Sequence, residues 1–318
     1  MLAKKLRRAV WYTSQDVQPK EALKYYKQAL EVAHELGMDP YSDEILGVKI
    51  CVAQLMESIQ NYPKAIQVLE IVRSDCLKWE KELGHLERNK QKRTRVLAKT
   101  IAISVKLSEL YSNPYVRDPT MAEERLVWAV ELSIREKQRR EKNNISDEEE
   151  GPWISDDEMG AALEALAHNY EEKDKHYLAS PLFLQALSVK PTVDCHSVVL
   201  MNNLASSLAQ QLPPTRSGEP AVAKAQMVQN ASQWAQKALD VAATIQPPER
   251  NEECDMGCAV ALHNLGEFAE MIGNVAEAKQ KYNEAVGLAR AIGFAQGANE
   301  SQTALLRIAK AESSIQNQ

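Results

Sequence analysis

Residues 160–191, GAALEALAHNYEEKDKHYLASPLFLQALSVKP, determine the fold that we predict for this chain. Apolar residues recur with the helical period of roughly 3.6 on both sides of residues 174–176, which predicts two antiparallel helices joined by a tight turn. Pro191 ends the second helix because proline cannot continue it. Small residues stand where the helices would cross closely and large residues flank them: Ala167, Ala179 and Ala186 are small, and Leu166, Tyr170 and Phe183 are large. One amphipathic pair cannot bury its own apolar face, so further copies are expected.

The spacing of the small residues, twelve and then seven, recurs along the chain. It is found at Gly266, Ala278 and Ala285, at Ala53, Ala65 and Val72, and at Val10, Ala22 and Ala29. Two further copies carry insertions between their helices, one between Ser108 and Ala122 and one between Ala205 and Ala231. The longer insertion covers residues 212–220 and need not disrupt the repeat, because loop-closure entropy grows slowly with length. This arrangement resembles the tetratricopeptide repeat, a helix–turn–helix unit of about 34 residues.

The resemblance predicts an all-α fold, a single tetratricopeptide-repeat solenoid over residues 1–318 with about six helix pairs and a C-terminal capping helix. The predicted pairs lie at approximately 1–37, 42–84, 88–140, 156–191, 194–246 and 252–292, and the capping helix lies at 297–316. Residues 141–157 are acidic and lack periodicity, which predicts a mobile loop.

Composition argues against several functional classes. A net charge of −6 disfavours nucleic-acid binding driven by counterion release. No apolar run reaches the roughly 18 residues of a membrane helix, so the chain as given is expected to be soluble. The five cysteines are scattered and odd in number, so we expect buried thiols and no disulfide framework.

Two basic segments allow alternative interpretations. Residues 1–15 carry four basic residues and no acidic one, and they are the first helix of the first repeat, a segment just outside a membrane span, or part of a targeting peptide. The repeat spacing through Val10 favours the first interpretation without excluding the second. The basic run within residues 85–99 is typical of a solvated helix face, and an anion or acidic-partner site is the alternative.

The sequence contains none of the motifs that we associate with catalysis. There is no Gly-rich phosphate loop, no Gly-x-Ser-x-Gly, no His-Glu-x-x-His and no Cys-x-x-Cys. We therefore predict that the chain is not an enzyme and has no catalytic residues, no metal site and no cofactor.

The concave surface of stacked helix pairs is the predicted binding site, because the first helix of each pair lines it. The residues expected to face this groove are Gln54, Glu57, Glu164, His168, Asn202, Asn203, Ser206, His263, Asn264 and Glu267. Asparagine precedes a core leucine at both Asn203 and Asn264, and its amide offers a donor and an acceptor to the backbone of an extended peptide. Alternatively, these amides bond only between neighbouring repeats.

Several segments carry a closer resemblance: residues 21–50, 64–79, 123–131, 164–188 and 200–211. Together they resemble the fungal tetratricopeptide-repeat adaptor subunit of the mitochondrial i-AAA protease. The resemblance implies a protein anchored in the mitochondrial inner membrane, with its repeats facing the intermembrane space. There, with a second membrane-bound adaptor subunit, it would present unfolded client proteins to the protease.

This chain differs from that family in having no presequence and no membrane span, so it is expected to be a soluble fragment whose membrane contact depends on a span absent from it. The function implied by the resemblance is a non-catalytic substrate adaptor. The alternative is a structural assembly scaffold, of the respiratory-complex assembly-factor type, that binds a folded partner.

Overall fold

The computed structural model describes residues 1–190, 192–211 and 220–316, and the regular structure in these ranges is helical, with no strand. Among these residues, no helix is both long and apolar enough to cross a bilayer. The chain divides into two compact units, Met1–Ser155 and Asp156–Gln318. The helices confirm the predicted all-α fold class, a series of helix pairs followed by a C-terminal helix. That residues 1–318 form a single solenoid stays a prediction.

Unit 1 is built from three helix pairs and one short helix. The pairs are α1 (Leu2–Ser14) with α2 (Pro19–Glu35), α3 (Asp43–Ser58) with α4 (Tyr62–Trp79), and α5 (Lys90–Ser112) with α6 (Pro119–Asn143), and the short helix is α7 (Asp147–Glu150). A π-helical turn, Glu80–Gly84, continues α4 to the predicted end of that repeat. The basic N-terminal residues form α1, as the first of the three interpretations predicted.

Unit 2 contains three further pairs and a last helix within its described residues. They are α8 (Asp156–Glu171) with α9 (His176–Val189), α10 (Cys195–Gln210) with α11 (Pro220–Thr244), α12 (Glu252–Met271) with α13 (Val275–Ala291), and α14 (Ala295–Gln316). Helix α14 packs on α12 and α13, the position expected of a capping helix. The predicted helix end at Pro191 lies outside the described residues, and so do residues 212–219 of the predicted insertion over 212–220.

The helices begin and end at residues with recognisable local signals. Asp118 Oδ1 accepts a hydrogen bond from the Met121 backbone N–H at 3.1 Å at the start of α6. Asn274 caps α13 in the same way. Gly273, immediately before it, has φ +81°, a left-handed conformation that side chains with a Cβ atom rarely adopt. Gly273 and Asn274 therefore both suit the short turn between α12 and α13.

Small residues allow the two helices of each pair to approach closely. Ala167, Ala179 and Ala186 are fully buried, as the repeat spacing predicts. The approach is also close at Gly266, where a Cβ atom would lie 2.8 Å from the ring of Tyr282. No larger residue fits at Gly266 unless the ring moves, so the spacing identified a real constraint on packing.

The predicted small position in α1 is displaced by one residue. Val10 is 52% exposed, whereas Ala9 is fully buried in the core that α1 shares with α2. Successive helix residues are rotated by roughly 100° from one another, so an error of one residue exchanges core and surface. The prediction that Val10 packs in the core was wrong, and Ala9 takes that position.

The structure also differs from the mobile loop that was predicted over residues 141–157. Helix α6 extends to Asn143, and α7 forms within the segment. The buried Arg140 guanidinium donates to the Gly151 carbonyl at 2.9 Å and to Thr94 Oγ1 at 2.8 Å. Glu150 is also buried and pairs with Arg139. A buried charge needs a partner, so these contacts attach the acidic segment to α5 and α6.

One pair of cysteines corrects the expectation of free thiols. Cys195 and Cys254 form a disulfide between the first turns of α10 and α12, with their Cα atoms 4.6 Å apart. They are 59 residues apart in sequence, so only the packing of the two helices reveals the pairing. Cys51, Cys76 and Cys258 are free thiols, of which Cys76 is buried and the other two are partly buried.

Candidate functional site

Two of the predicted groove residues line an apolar pocket in unit 1. The pocket has a volume of about 220 Å³ and is bounded by residues of α3, α4 and α5: Ile50, Ala53, Gln54, Glu57, Leu69, Ala102, Ile103, Lys106 and Leu110. Its surface is almost entirely apolar. Gln54 and Ala102 are exposed, so they lie at its open edge.

A charged group stands beside this pocket. Lys106 Nζ lies 3.0 Å from Glu57 Oε1 and 2.8 Å from Glu109 Oε2. Burial works to lower the pKa of Lys106, but the hydrogen bonds to Glu109 and Glu57 outweigh it and raise that pKa. The ammonium therefore stays charged next to an apolar surface. This combination suits a ligand that has an apolar side chain and a polar backbone.

In unit 2, two predicted groove residues of α8, Glu164 and His168, lie together with three residues that the sequence analysis did not select. His196 Nε2 lies 2.9 Å from Glu164 Oε2, and its Nδ1 lies 2.8 Å from Glu253 Oε1 on α12. His168 Nδ1 lies 3.0 Å from Glu171 Oε2. We call these five residues the His196 cluster; its side chains connect three helices.

The contacts in the His196 cluster shift the pKa values of Glu164, His168 and His196. Burial alone would raise the pKa of Glu164, but hydrogen bonds from His168 and His196 lower it to about 2. Hydrogen bonds to Glu164 and Glu171 raise the pKa of His168 to about 9. Hydrogen bonding to Glu164, opposed by burial and reinforced by Glu253, raises the pKa of His196 to about 9. Both imidazoles are therefore cations at neutral pH, and each donates from both nitrogens.

The asparagines do not form the amide-lined wall that was predicted. Asn202 is 2% exposed, and its amide donates to the Gly257 carbonyl at 2.8 Å. Asn264 is also buried, at 7% exposure. Asn203 is partly buried, and its amide donates to Glu164 Oε1 at 3.4 Å. The prediction that Asn202 and Asn264 face the groove was wrong, because their side chains are enclosed by neighbouring helices.

The remaining predicted residues lie on α10 and α12. Ser206 is partly buried and accepts a hydrogen bond from the Gln210 amide. His263 and Glu267 line an open pocket of about 400 Å³ between α12, α13 and α14. His263 Nδ1 lies 2.9 Å from Ser301 Oγ, and burial lowers the pKa of this imidazole, so it is neutral at pH 7. The His263 imidazole in this pocket is therefore neutral, whereas the two imidazoles of the His196 cluster are cations.

Sequence reasoning missed His196, Glu253, Glu171 and Lys106. None of them lies in a spacing that distinguishes it from an ordinary surface residue. Helical periodicity places a residue on a face but does not show which side chain of another helix it meets. Among the described residues, no group of three or more His, Cys, Asp or Glu side chains could hold a metal ion.

The paired charges predict how stability depends on pH. Glu164 contributes stability that is complete above pH 4.5 and is lost as the pH falls through about 2. His168 and His196 contribute stability that is complete below pH 6.5 and is lost as the pH rises through about 9. We expect the melting temperature, followed by circular dichroism, to decline between pH 6.5 and 9, and Glu164→Gln to flatten this decline.

The matched control is Glu172→Gln, because Glu172 is exposed immediately after α8. It should keep the wild-type pH profile. If Glu164→Gln also keeps the wild-type profile, the paired charges do not contribute to stability as described.

The sequence is similar to that of one repeat-containing protein. No protein-family model matches the sequence. A TPR repeat-containing protein of Schizosaccharomyces pombe is 29% identical over 293 residues, which cover 91% of this chain and 72% of the relative. The apo form of RapI is 12% identical with a TM-score of 0.49, over 98% of this chain and 99% of that chain. The apo quorum sensor NprR from B. thuringiensis is 14% identical with a TM-score of 0.44, over 96% of this chain and 76% of that chain.

Both TM-scores are below 0.5, so the fold assignment rests on the observed helices. In the part of the chain that the structure describes, six helix pairs carry buried small residues, and a further helix packs on the last pair. The relative from Schizosaccharomyces pombe is named for the same kind of repeat that the spacing of small residues predicts.

Proposed function

We propose that this chain is a non-catalytic adaptor that binds extended segments of other proteins. The observation that carries the proposal is the apolar pocket of unit 1, which lies between the first helices α3 and α5 and has α4 at one side. Its volume of about 220 Å³ exceeds the ~150 Å³ of an engineered apolar cavity that accommodates benzene. An aromatic or long aliphatic side chain therefore fits it.

The polar groups around the pocket suit the backbone of the same ligand. Gln54 is exposed and offers an amide donor and acceptor. Lys106 and Glu57 form an ion pair that is partly exposed, so each retains capacity for a further hydrogen bond. One side-chain pocket with backbone partners beside it recognises a short extended segment with little regard to its other side chains. This property suits an adaptor that takes many unfolded clients.

The surface of unit 2 adds polar contacts of a different kind. The His196 cluster presents two imidazolium groups and three carboxylates, and His168 has 46% of its side chain exposed. Their charges remain available to backbone and side-chain groups of a partner.

A more specific role is adaptor of the mitochondrial i-AAA protease, acting with a second membrane-bound adaptor subunit at the inner membrane, with the repeats facing the intermembrane space. The support is the resemblance of five segments of the sequence to that adaptor family. The Cys195–Cys254 disulfide is compatible with this location, because disulfides persist in oxidising compartments and are rare in the cytosol.

A structural scaffold that binds a folded partner is the second candidate. Tyr115 in unit 1 is 79% exposed, and its ring stacks on Tyr62 with centroids 5.8 Å apart. Exposed aromatic residues are enriched at protein interfaces. A scaffold and an adaptor differ in ligand, since a scaffold has no preference for an unfolded chain.

Filling the pocket tests the adaptor function. Ala102→Phe places a ring at the open edge of the pocket, where it occupies the space that a client side chain would take. We expect at least tenfold weaker binding of a carboxymethylated, permanently unfolded probe protein by fluorescence anisotropy, which corresponds to about 1.4 kcal/mol. A labelled peptide that contains one Phe should bind more tightly than the same peptide with Ser.

Ala243→Phe is the matched control, because Ala243 is exposed on the second helix α11. Both variants should keep the wild-type melting temperature. Equal affinity of Ala102→Phe and wild type for the unfolded probe would reject the pocket as the binding site. Binding of only the native, disulfide-intact probe would favour the scaffold.

The specific role is tested by chemical crosslinking in intact mitochondria, followed by purification of this protein and mass spectrometry. The proposal expects crosslinks to the i-AAA protease and the second adaptor subunit, and more client crosslinks when the protease is inactivated. Recovery of a single stoichiometric folded partner without the protease would contradict it.

A further inference from the structure

The Cys195–Cys254 disulfide lies directly beside the His196 cluster. It joins the first turns of α10 and α12, which are the first helices of two successive pairs. Both cysteines are buried, at 2% and 0% exposure. The bond therefore acts as an internal crosslink between two helices that both carry residues of the cluster.

Each half of the disulfide is adjacent in sequence to a member of the cluster. His196 follows Cys195, and Glu253 precedes Cys254. Neighbouring Cα atoms are about 3.8 Å apart, so holding the two cysteine Cα atoms at 4.6 Å also limits the distance between His196 and Glu253. Their side chains meet at 2.8 Å. The disulfide thus positions this ion pair through the backbone.

The disulfide also influences a contact with a third helix, because the second ring nitrogen of His196 contacts that helix. His196 Nε2 contacts Glu164 on α8 at 2.9 Å. Glu164 also contacts His168 Nε2 at 3.5 Å and accepts from the Asn203 amide at 3.4 Å. The charged and polar groups that face His196 are therefore Glu164, Glu253 and, through Glu164, His168 and Asn203.

One turn further along, α10 and α12 are held together without the disulfide. The Asn202 amide donates to the Gly257 carbonyl at 2.8 Å. A Cβ atom on Gly257 would lie 2.8 Å from Val198 Cγ1, so the backbone of α12 approaches the Val198 side chain closely. Opening the disulfide should therefore loosen the first turns of the two helices, where His196 and Glu253 lie, and leave the rest of their contact in place.

We propose that oxidation of Cys195 and Cys254 completes the polar surface of unit 2, so that the oxidised chain binds extended protein segments at this surface more tightly than the reduced chain. Two thiols form one S–S bond and give two protons and two electrons to a disulfide oxidant, which becomes two thiols. The statement about binding rests on the proposed adaptor function, and the statement about geometry does not.

The first measurement counts thiols in the purified full chain. Alkylation in denaturant without a reductant should modify three of the five cysteines, Cys51, Cys76 and Cys258, and prior reduction should make all five reactive. Five reactive thiols without reduction, in protein purified under oxidising conditions, would overturn the proposal.

The second measurement follows His196 by NMR in protein with labelled histidines, with its signal assigned by His196→Gln. In the double variant Cys195→Ser/Cys254→Ser the distance to Glu253 is no longer fixed, so the pKa of His196 should fall by about 1 relative to the oxidised chain. Cys258→Ser, which removes the free thiol one turn from Cys254, should titrate like the wild type. An unchanged His196 titration in the double variant would overturn the positioning role.

The third measurement compares binding of the unfolded probe by the oxidised wild type, Cys258→Ser and the double variant. We expect the double variant to bind at least threefold more weakly at a temperature where its circular dichroism shows it folded. If the His196 titration changes in the double variant but its affinity for the probe does not, the disulfide does not control binding, and that part of the proposal is overturned. If no form binds the probe, the adaptor function fails, while thiol counting and the titration still decide the geometry.

Discussion

The close approach of two helices at small residues is the constraint on which both units depend. At Gly266 the ring of Tyr282 occupies the place of a side chain, and in the α8–α9 pair Ala167 and Ala179 have no exposed surface. When helices pack this closely, their large residues must turn to either side of the crossing. Residues off that stripe on the first helices then line pockets, as Gln54 does in unit 1.

Charged residues have different roles in the two units. In unit 1 the buried Arg140 donates to the Gly151 carbonyl and to Thr94 Oγ1 and so attaches the acidic segment after α6. Removing one partner of such a buried group is strongly destabilising, because it leaves the other charge unpaired. In unit 2 the ions of the His196 cluster remain partly exposed, and their pairing shifts the pKa values of Glu164, His168 and His196. Charges in the first setting therefore hold structure, and those in the second remain available to a partner.

Sequence predicted local features well and tertiary partners poorly. Helix ends depend on residues whose conformational preference acts within one turn, of which Gly273 is an example. The predicted core position at Val10 was wrong, because a shift of one residue along a helix exchanges a core position for a surface position. The Asn202 amide could bond the backbone of a peptide, but in the structure it donates to the Gly257 carbonyl of another helix pair. The Cys195–Cys254 bond joins residues 59 apart, and no local pattern encodes that distance.

The central claim is that the pocket between α3 and α5 receives extended segments of other proteins. A photoreactive benzophenone side chain at position 54, mixed with the unfolded probe and irradiated, tests it most directly. The claim predicts crosslinks that excess unlabelled probe abolishes, and few or none when the same group replaces Ala243 on α11. Equal crosslinking at both positions, or crosslinking at position 243 alone, would contradict the claim.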